Sequence, residues 1–234
     1  MKDQEKLFLS FHGRIIDSLG IQMYQSPVAA IAELIANSWD ADATRVEVKL
    51  PETLSNDATI AVSDDGYGMT FEQCQNHYLN VGRNRRTDDD SDKSRDGRPV
   101  LGRKGIGKFA GFGIAEVLEV DTTSGITGER TKFSLDLSDL RGAEYIGTSP
   151  QEVPIIEQSG PDPELISRKG TTITLKRLKL VRRPNVHGFG RSMARRFLIA
   201  QSSDNFLVKV NGDPLPEDDE LAGVEFDFPN DYRP

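Results

Sequence analysis

Apolar residues follow two different spacings along the chain, and these spacings predict its helices and strands. After Ser26-Pro27, apolar residues recur at Val28, Ile31 and Leu34, the period of an amphipathic helix. Serine can cap the free N–H groups of a helix start, and proline suits the first helical position. Further helices are predicted for residues 71–79, 107–117 and 191–200.

Strict alternation of polar and apolar residues predicts the strands. Residues 45–50 place Val46, Val48 and Leu50 on one face of a strand. Polar, turn-rich composition predicts a loop at 83–99, and proline and glycine breaks predict that 144–169 is mostly loop. Because strands and helices do not alternate regularly, the pattern predicts an α/β two-layer sandwich of the α+β type. The other predicted strands are 59–63, 118–122, 131–137, 171–178 and 206–210, the last ending in a turn at Asn211-Gly212.

Composition narrows the class of protein. A chain of 234 residues is long enough for one well-packed domain. The net charge of -8 argues against a wholly basic nucleic-acid binder. The single cysteine, Cys74, cannot form an internal disulfide, and no apolar run approaches the roughly 20 residues that cross a bilayer. We therefore expect a cytoplasmic protein without a membrane partner.

Three polar residues of the first helix are spaced so that they share one face. Glu33 and Asn37 are four residues apart, and Asp40 follows three residues later. Burying such groups unpaired would cost several kcal/mol, so their convergence needs a reason. Asn37 can offer its carbonyl oxygen to Mg²⁺, and Glu33 can orient or deprotonate a water molecule. The alternative is a polar stripe that faces solvent.

A glycine-rich segment follows the second predicted strand. In Asp64-x-Gly66-x-Gly68 the glycines allow a sharp turn and a close approach by a flat ring. An aspartate at the strand end can accept a hydrogen bond from an exocyclic amine such as that of adenine. The alternative is an ordinary tight turn, for which Asp-Asp-Gly is a common sequence.

A second glycine-rich segment precedes a predicted helix. Free N–H groups at a helix N-terminus favour phosphate, and the series from Gly102 through Gly107 to Lys108 resembles a P-loop in its spacing. However, Phe109 stands where a P-loop has the Ser or Thr that binds Mg²⁺. A P-loop is therefore disfavoured.

Together, the three segments closely resemble the GHKL superfamily of gyrase B subunits, heat-shock-ninety chaperones, histidine kinases and MutL. Residues 33–41 resemble its N box, 64–69 its first glycine box, and 102–107 its second. Gly170-Thr171 resembles the later Gly-Thr that closes the adenine side. Within the superfamily the chain looks most like prokaryotic MORC-like or heat-shock-chaperone-like ATPases. The resemblance implies the Bergerat fold, with a mixed, mostly antiparallel sheet.

The resemblance also implies roles at the matching positions. Glu33 would be the general base, Asn37 the Mg²⁺ ligand, and Asp64 the acceptor of the adenine amine, with Thr171 supporting it through water. The ATP-binding residues implied are Asn37, Asp40, Asp64, Gly66, Gly68, Met69, Gly102, Lys104, Gly105, Ile106, Gly107, Lys108 and Thr171.

The resemblance further implies how such a module works. ATP and Mg²⁺ would be bound by residues 1–212, and residues 82–104 would form a lid whose closure promotes a homodimer. Residues 213–234 would be an acidic segment or a linker to domains or protein partners elsewhere. The lid start lacks the Ser-x-Lys of several relatives, and no transducer domain lies within the chain, so turnover by this domain alone is expected to be slow.

One basic stretch leaves other functions open. Residues 176–196 hold eight lysines and arginines and no acidic residue. They could contact DNA, although no pattern of interleaved aromatic residues accompanies them. Besides an ATPase, the sequence therefore allows a nucleotide-binding switch with negligible hydrolysis, or a nucleic-acid-binding module. The biological task (repair, chromosome organisation, phage defence or chaperoning) stays open.

Overall fold

The fold is built on β-strands with few helices. The structure, a computed structural model, describes residues 6–11, 26–81, 93–102, 107–140, 151–197 and 205–216. Its strands are β1 Leu7–Phe11, β2 Arg45–Lys49, β3 Ile60–Asp64, β4 Asn80–Val81, β5 Ala115–Thr123, β6 Arg130–Asp136, β7 Gln151–Val153, β8 Ile155–Ser159, β9 Gly170–Leu178, β10 Leu207–Val210 and β11 Asp213–Pro214. Its helices are α1 Pro27–Asp40, α2 Phe71–Gln73, α3 Leu137–Leu140 and α4 Val186–Arg196. A π-helical turn, Cys74–Tyr78, continues α2, and two 3₁₀ helices span Gly107–Gly113 and Pro163–Arg168.

The main sheet has eight strands in the order β11-β10-β2-β3-β9-β5-β6-β8. The pairing of β10 with β2 is parallel, and the other pairs in this sheet are antiparallel. A smaller sheet joins β4, β1 and β7. This mixed, mostly antiparallel sheet with helices confirms the predicted α+β class.

Alternation along the strands places one face of the main sheet against the helices. Val46 and Val48 of β2 are buried, whereas Arg45 and Lys49 are exposed. On the helical side, Ile31 of α1 is fully buried in the same core. Full burial of a side chain of this size contributes roughly 1.5–3 kcal/mol. The core therefore holds α1 against the sheet and so determines where its polar side points.

Helix α1 begins where the sequence predicts, but not with the predicted cap. Ser26 has an extended backbone and Pro27 occupies the first turn, yet the Ser26 side chain makes no capping hydrogen bond. The strands predicted at 45–50, 59–63, 118–122, 131–137 and 171–178 are confirmed as β2, β3, β5, β6 and β9, with ends shifted by at most three residues. The turn at Asn211-Gly212 is also confirmed, since both residues have positive φ.

The predicted helix over 107–117 was wrong in kind and in length. A 3₁₀ helix ends at Gly113, and β5 begins at Ala115. Glycine weakens a regular helix. Close packing also favours glycine here, because a Cβ on Gly111 would lie 2.5 Å from Cδ2 of the buried Leu175. Residues 115–117 are extended instead of helical because β5 pairs with both β6 and β9.

The predicted loop over 144–169 was also wrong in part. It contains β7, β8 and a 3₁₀ helix, and Pro154 separates the two strands. These short strands pair with β1 and β6 at sheet edges, where proline is tolerated. β1 itself was missed. The parts of predictions that fall on 82–92, 103–106, 141–150, 198–204 and 217–234 lie outside the described residues.

Helix α4 begins earlier than predicted, at Val186. Asn185 caps it, because its side-chain oxygen accepts a hydrogen bond from the Gly188 backbone at 3.1 Å. At the other end of the fold, the sheet continues through β11, and Leu215 is buried in the core. Of the helices described, none has the length and apolar composition needed to span a bilayer.

Candidate functional site

The polar side of α1 faces the second glycine-rich segment. A Cβ added at Gly107 would lie 2.7 Å from Glu33 Oε2. A Cβ added at Gly102 would lie 2.8 Å from Asp40 Oδ2 and 3.9 Å from Asn37 Oδ1. Glycine at both positions therefore lets the backbone approach the three polar side chains. The structure therefore places Glu33, Asn37 and Asp40, the polar stripe of α1, next to this segment, as the sequence predicts.

Asp40 holds the end of the predicted lid. Its two carboxylate oxygens accept hydrogen bonds from the backbone amides of Leu101, at 2.7 Å, and Gly102, at 2.9 Å. A charged acceptor on two neighbouring amides is among the stronger hydrogen-bond arrangements in proteins. Asp40 thus connects the last turn of α1 to the glycine-rich segment.

Asn37 has an unsatisfied polar atom at the centre of the stripe. Its amide nitrogen Nδ2 is buried and has no hydrogen-bond partner among the described residues. An orphaned buried donor costs roughly 1–3 kcal/mol and calls for an acceptor such as a phosphate oxygen or a bound water. Its amide oxygen is a hard oxygen ligand of the kind Mg²⁺ accepts. The residue therefore fits a magnesium ion bound together with a nucleotide. Among the described residues there is no cluster of three His, Cys, Asp or Glu side chains that could hold a metal ion by themselves.

Asp64, at the end of β3, is held by three donors. Its Oδ1 accepts hydrogen bonds from the backbone amides of Gly66, at 2.9 Å, and Thr171, at 3.2 Å. Its Oδ2 accepts one from the Ser38 hydroxyl at 2.9 Å. Since each carboxylate oxygen can accept about two hydrogen bonds, Oδ2 keeps one acceptor position for another donor.

Burial controls the charge of Asp64. Desolvation raises the pKa of its carboxyl group to about 6, although the hydrogen bonds from Ser38, Gly66 and Thr171 lower it. Asp65 raises the pKa slightly further by repulsion. The carboxyl group is mainly ionised at neutral pH and changes charge in mildly acidic solution.

The first glycine-rich loop packs tightly against the strand ends. Gly68 has φ +60, and a Cβ there would lie 1.9 Å from the Thr123 carbonyl oxygen. The next amide, of Met69, donates to Thr122 Oγ1 at 3.0 Å, and that hydroxyl is 3.0 Å from Thr171 Oγ1. A chain of hydrogen bonds therefore joins this loop to the Gly-Thr of β9.

Gly170 shows why that Gly-Thr begins with glycine. Its φ is +141, and a Cβ there would lie 2.0 Å from the backbone oxygen of Asp64. The backbone of β9 can therefore come close enough for Thr171 to donate to the Asp64 carboxylate. Ser38 and Thr122, which also belong to this network, were missed by sequence reasoning. Ser38 lies within the N box, and that position was the signal that could have found it.

The charged end of Lys108 lies against the segment that follows α2. Its ammonium group donates to the backbone carbonyls of His77, at 2.6 Å, and Asn80, at 3.2 Å. Its Nζ also lies 5.6 Å from the Tyr78 ring centroid. The side chain thus fastens the start of this helix to the segment after α2. Lys104, Gly105 and Ile106 lie outside the described residues.

The segment before Leu101 is fastened to the body by contacts that the sequence did not predict. The Trp39 indole donates to the Pro99 carbonyl at 2.9 Å, and the Arg98 guanidinium donates to the Ala43 carbonyl at 2.6 Å. Asp42, which is buried, accepts hydrogen bonds from the Ser94 hydroxyl and from the backbone amide of Asp96. The described C-terminal part of the predicted lid therefore rests on the end of α1.

Comparisons with known proteins agree with this arrangement. Over 220 residues the chain is 31% identical to a putative type II restriction enzyme, HgiDII, from Herpetosiphon aurantiacus, covering 93% of this chain and 34% of that protein. It is 28% identical over 160 residues to the chaperone protein HtpG of Gluconobacter oxydans, covering 61% of this chain and 25% of HtpG. The HtpG of Fusobacterium nucleatum is 21% identical over 145 residues, covering 53% of this chain and 23% of HtpG.

The chain thus spans about a third or less of the length of these curated relatives. A family profile, described as histidine kinase-, DNA gyrase B- and HSP90-like ATPase, matches residues 24–160. That range contains the polar stripe of α1, both glycine-rich segments and the strand that carries Asp64. The chain belongs to the histidine kinase-, DNA gyrase B- and HSP90-like ATPase family, whose members bind ATP.

Proposed function

We propose that this domain binds Mg-ATP between α1 and the two glycine-rich segments and hydrolyses it. The observation that carries the proposal is the position of Glu33 and Asn37 against Gly107 and Gly102, with Asp64 joined to the same helix through Ser38. An acid and an orphaned amide then lie on one face of α1, and an adenine-suited acceptor contacts the same helix at Ser38. Binding a nucleotide gives each of them a partner.

The adenine end is assigned to Asp64. Its free acceptor position on Oδ2 would receive the exocyclic amine of adenine, while Thr171 and Thr122 would hold a bridging water. Gly66 and Gly68 leave the loop without side chains that would keep a flat ring away. Met69 supplies an apolar contact to the ring.

The phosphate end is assigned to the other half of α1. Asn37 would bind Mg²⁺ through its amide oxygen, and the metal, when bound, would offset charge on the β- and γ-phosphates. The orphaned Nδ2 would donate to a phosphate oxygen. The backbone amides from Gly102 to Lys108, including those of Lys104, Gly105 and Ile106, would bind the remaining phosphate oxygens.

Glu33 is assigned as the general base. Its carboxylate would accept a proton from a water molecule whose oxygen attacks the γ-phosphorus. The bond between the γ-phosphorus and the bridging oxygen then breaks, and ADP and phosphate leave. Because Asp40 holds the end of the lid, closure of residues 82–104 over ATP would act directly on this site and favour a homodimer.

The test is a comparison of binding and turnover. Glu33→Ala is expected to bind Mg-ATP with an affinity within a few-fold of wild type and to lose hydrolysis by about 10²–10⁴-fold, the range for a general base. Glu72→Gln, an exposed carboxylate at the start of α2, is the matched control and should keep full turnover. If folded Glu33→Ala protein hydrolyses ATP at the wild-type rate, the assigned base is wrong.

A nucleotide-operated switch with negligible hydrolysis is the second candidate function. Lys108 favours it, because its ammonium group is engaged by two backbone carbonyls rather than reserved for phosphate. Steady-state phosphate release by this domain and by a longer, dimeric form separates the two functions. Turnover that stays negligible in both, with intact binding, would favour the switch.

We also propose a context for this module. HgiDII, which is described as a putative type II restriction enzyme, matches 93% of the chain, whereas the HtpG chaperones match 47–61% of it. The broader match favours work on DNA over chaperoning for the protein that contains this domain. The experiment is nucleotide-dependent DNA cleavage by a longer form, with Glu33→Ala as the inactive comparison.

A further inference from the structure

The basic stretch 176–196 separates into two groups of side chains. In the first group, Lys176 forms an ion pair with Glu119 at 2.7 Å, and Arg177 forms one with Asp136. Lys179 donates to the Phe112 carbonyl at 2.6 Å. These three cations are used within the fold, where they connect β9 and the residue after it to β5, to β6 and to the 3₁₀ helix Gly107–Gly113.

The second group consists of five exposed arginines. None of them has a hydrogen bond or a carboxylate partner among the described residues. In the sequence, the nearest acidic residues on either side are Glu164 and Asp204. The five, which we call the arginine face, are Arg182, Arg183, Arg191, Arg195 and Arg196.

Helix α4 presents this face outward because its other side is in the core. Phe189 and Met193 are buried against the rest of the fold. Arg191 and Arg195 are four residues apart and so lie on one exposed stripe, about 6 Å apart along the axis. A favourable interaction with the helix dipole is another reason for arginine near a helix C-terminus, but it acts only within the last turn. That effect does not account for Arg191 or for the arginines that precede the helix.

We propose that the arginine face binds the phosphate backbone of double-stranded DNA. The proposal rests, in its biological sense, on the work on DNA proposed above, but its physical basis is the face itself. All five free cations are arginines, whose planar guanidinium groups match phosphate oxygens in pairs. A cluster of unpaired positive charge in a chain of net charge -8 is complementary to a polyanion.

The aromatic residues favour a duplex over a single strand. Single-strand binding relies on exposed aromatic rings on which bases stack. Within α4 and the residue after it, Phe189 and Phe197 are buried instead. The face therefore reads backbone charge without base stacking, and we expect binding that is independent of sequence.

The same burial argues against an anionic membrane. An interfacial helix inserts its apolar side into the lipid. The apolar side of α4 is already packed in the core, and among the described residues near the helix the one apolar side chain free to insert is that of Val181, which is 94% exposed. Charge alone would then have to hold the face on lipid.

The experiment is fluorescence anisotropy with a labelled DNA duplex, without nucleotide, as salt is raised from about 50 to 200 mM. If all five arginines contact phosphate, the logarithm of the association constant should fall with log salt at a slope near −4.5, so that affinity drops roughly 500-fold. Arg191→Gln/Arg195→Gln should weaken that slope by about 2 and reduce affinity at 0.1 M salt roughly 50-fold.

The matched control removes two charges from the other face of the sheet. Arg45→Gln/Lys49→Gln changes exposed positions of β2 and should leave DNA binding within about twofold of wild type. Equal loss of affinity in both double variants would overturn the proposal, because net charge alone would then explain binding. Binding to vesicles of phosphatidylserine and phosphatidylcholine, but not to duplex, would also overturn it.

One further variant lowers the negative charge of the chain. Four acidic residues, 217–220, follow Pro216, whose Cδ would lie 3.7 Å from a Cβ on Gly190 of α4. Neutralising all four to Asn or Gln in the full chain should increase duplex affinity. If neither this chain nor wild type binds duplex, the proposal fails. Calorimetry with Mg-ATP on Arg191→Gln/Arg195→Gln distinguishes DNA binding from nucleotide binding. The affinity of this variant for Mg-ATP should equal that of wild type.

Discussion

Asp64→Asn is the substitution that tests the nucleotide site most directly. The two backbone amides that bind Oδ1 can bind the amide oxygen of asparagine in the same place. The Ser38 hydroxyl, which now donates to Oδ2, can rotate and accept from the new NH₂ group instead. We therefore expect the variant to fold, with its local hydrogen bonds kept.

The effect on ATP follows from the reversed polarity of one atom. Where Oδ2 offered an acceptor to the adenine amine, Asp64→Asn offers a donor. Loss of a hydrogen bond to a charged acceptor costs roughly 1.5–3 kcal/mol, which weakens ATP binding by about 10- to 150-fold. Guanine presents a carbonyl oxygen at the equivalent position of its ring. GTP affinity should therefore stay unchanged or rise, and the ratio of the two affinities should change more than either one.

Isothermal calorimetry with ATP and GTP, for wild type and Asp64→Asn, measures that ratio. Circular dichroism and urea unfolding confirm that the variant is folded. Equal ATP affinity in both proteins would refute the assignment of Asp64 to adenine. A parallel loss of ATP and GTP would point to a general disturbance of the pocket instead.

The pKa of Asp64 adds a dependence on pH to the same experiment. The folded-state pKa of about 6 lies above the ordinary value of 3.8, so between these values the folded chain binds more protons than the unfolded chain. Its contribution to stability is therefore greatest below pH 4 and is lost as pH rises through 6. ATP binding requires the ionised acceptor and should change in the opposite direction, weakening about tenfold from pH 7 to pH 5. Asp64→Asn should remove this carboxyl group's contribution to both trends.

Three further predictions concern the surroundings of the site. Gly68→Ala, which places a Cβ against a backbone carbonyl at φ +60, should lower the free energy of unfolding by about 2–4 kcal/mol in urea, whereas Gly97→Ala, with open space around it, should cost about 1 kcal/mol. Asp40→Ala should increase hydrogen exchange at the two lid amides that it accepts from, and unchanged protection would contradict its role as a clamp. Ser38→Ala removes a hydrogen bond that lowers the pKa of Asp64, so the pH midpoint of ATP binding should move upward; a midpoint that stays in place would argue against this coupling.

Much of the local structure could be predicted because it depends on short-range periodicity. The helical spacing from Val28 to Leu34 and the alternation in residues 45–50 correspond to α1 and β2. The short strands β1, β7 and β8 escaped prediction because they have few residues and contain or adjoin residues that favour turns. Their pairing depends on partners far away in the sequence, such as β1 with β7.

The candidate site likewise has features that the sequence predicts and features that depend on the fold. The spacing of Glu33, Asn37 and Asp40 was enough to place them on one face of a helix. It could not predict that Asp40 would hold the lid end or that Asn37 would keep a buried amide without a partner. Those properties depend on where the glycine segment crosses the helix.

The order of its polar and glycine residues was sufficient to assign this chain to its ATP-binding family, since helix period, strand period and glycine positions are local properties of a sequence. The folded structure alone decided which donors surround Asp64, where Lys108 places its charge, and which arginines stay free. Each of these depends on contacts between segments distant in the chain, and such contacts form only when the sheet brings those segments together.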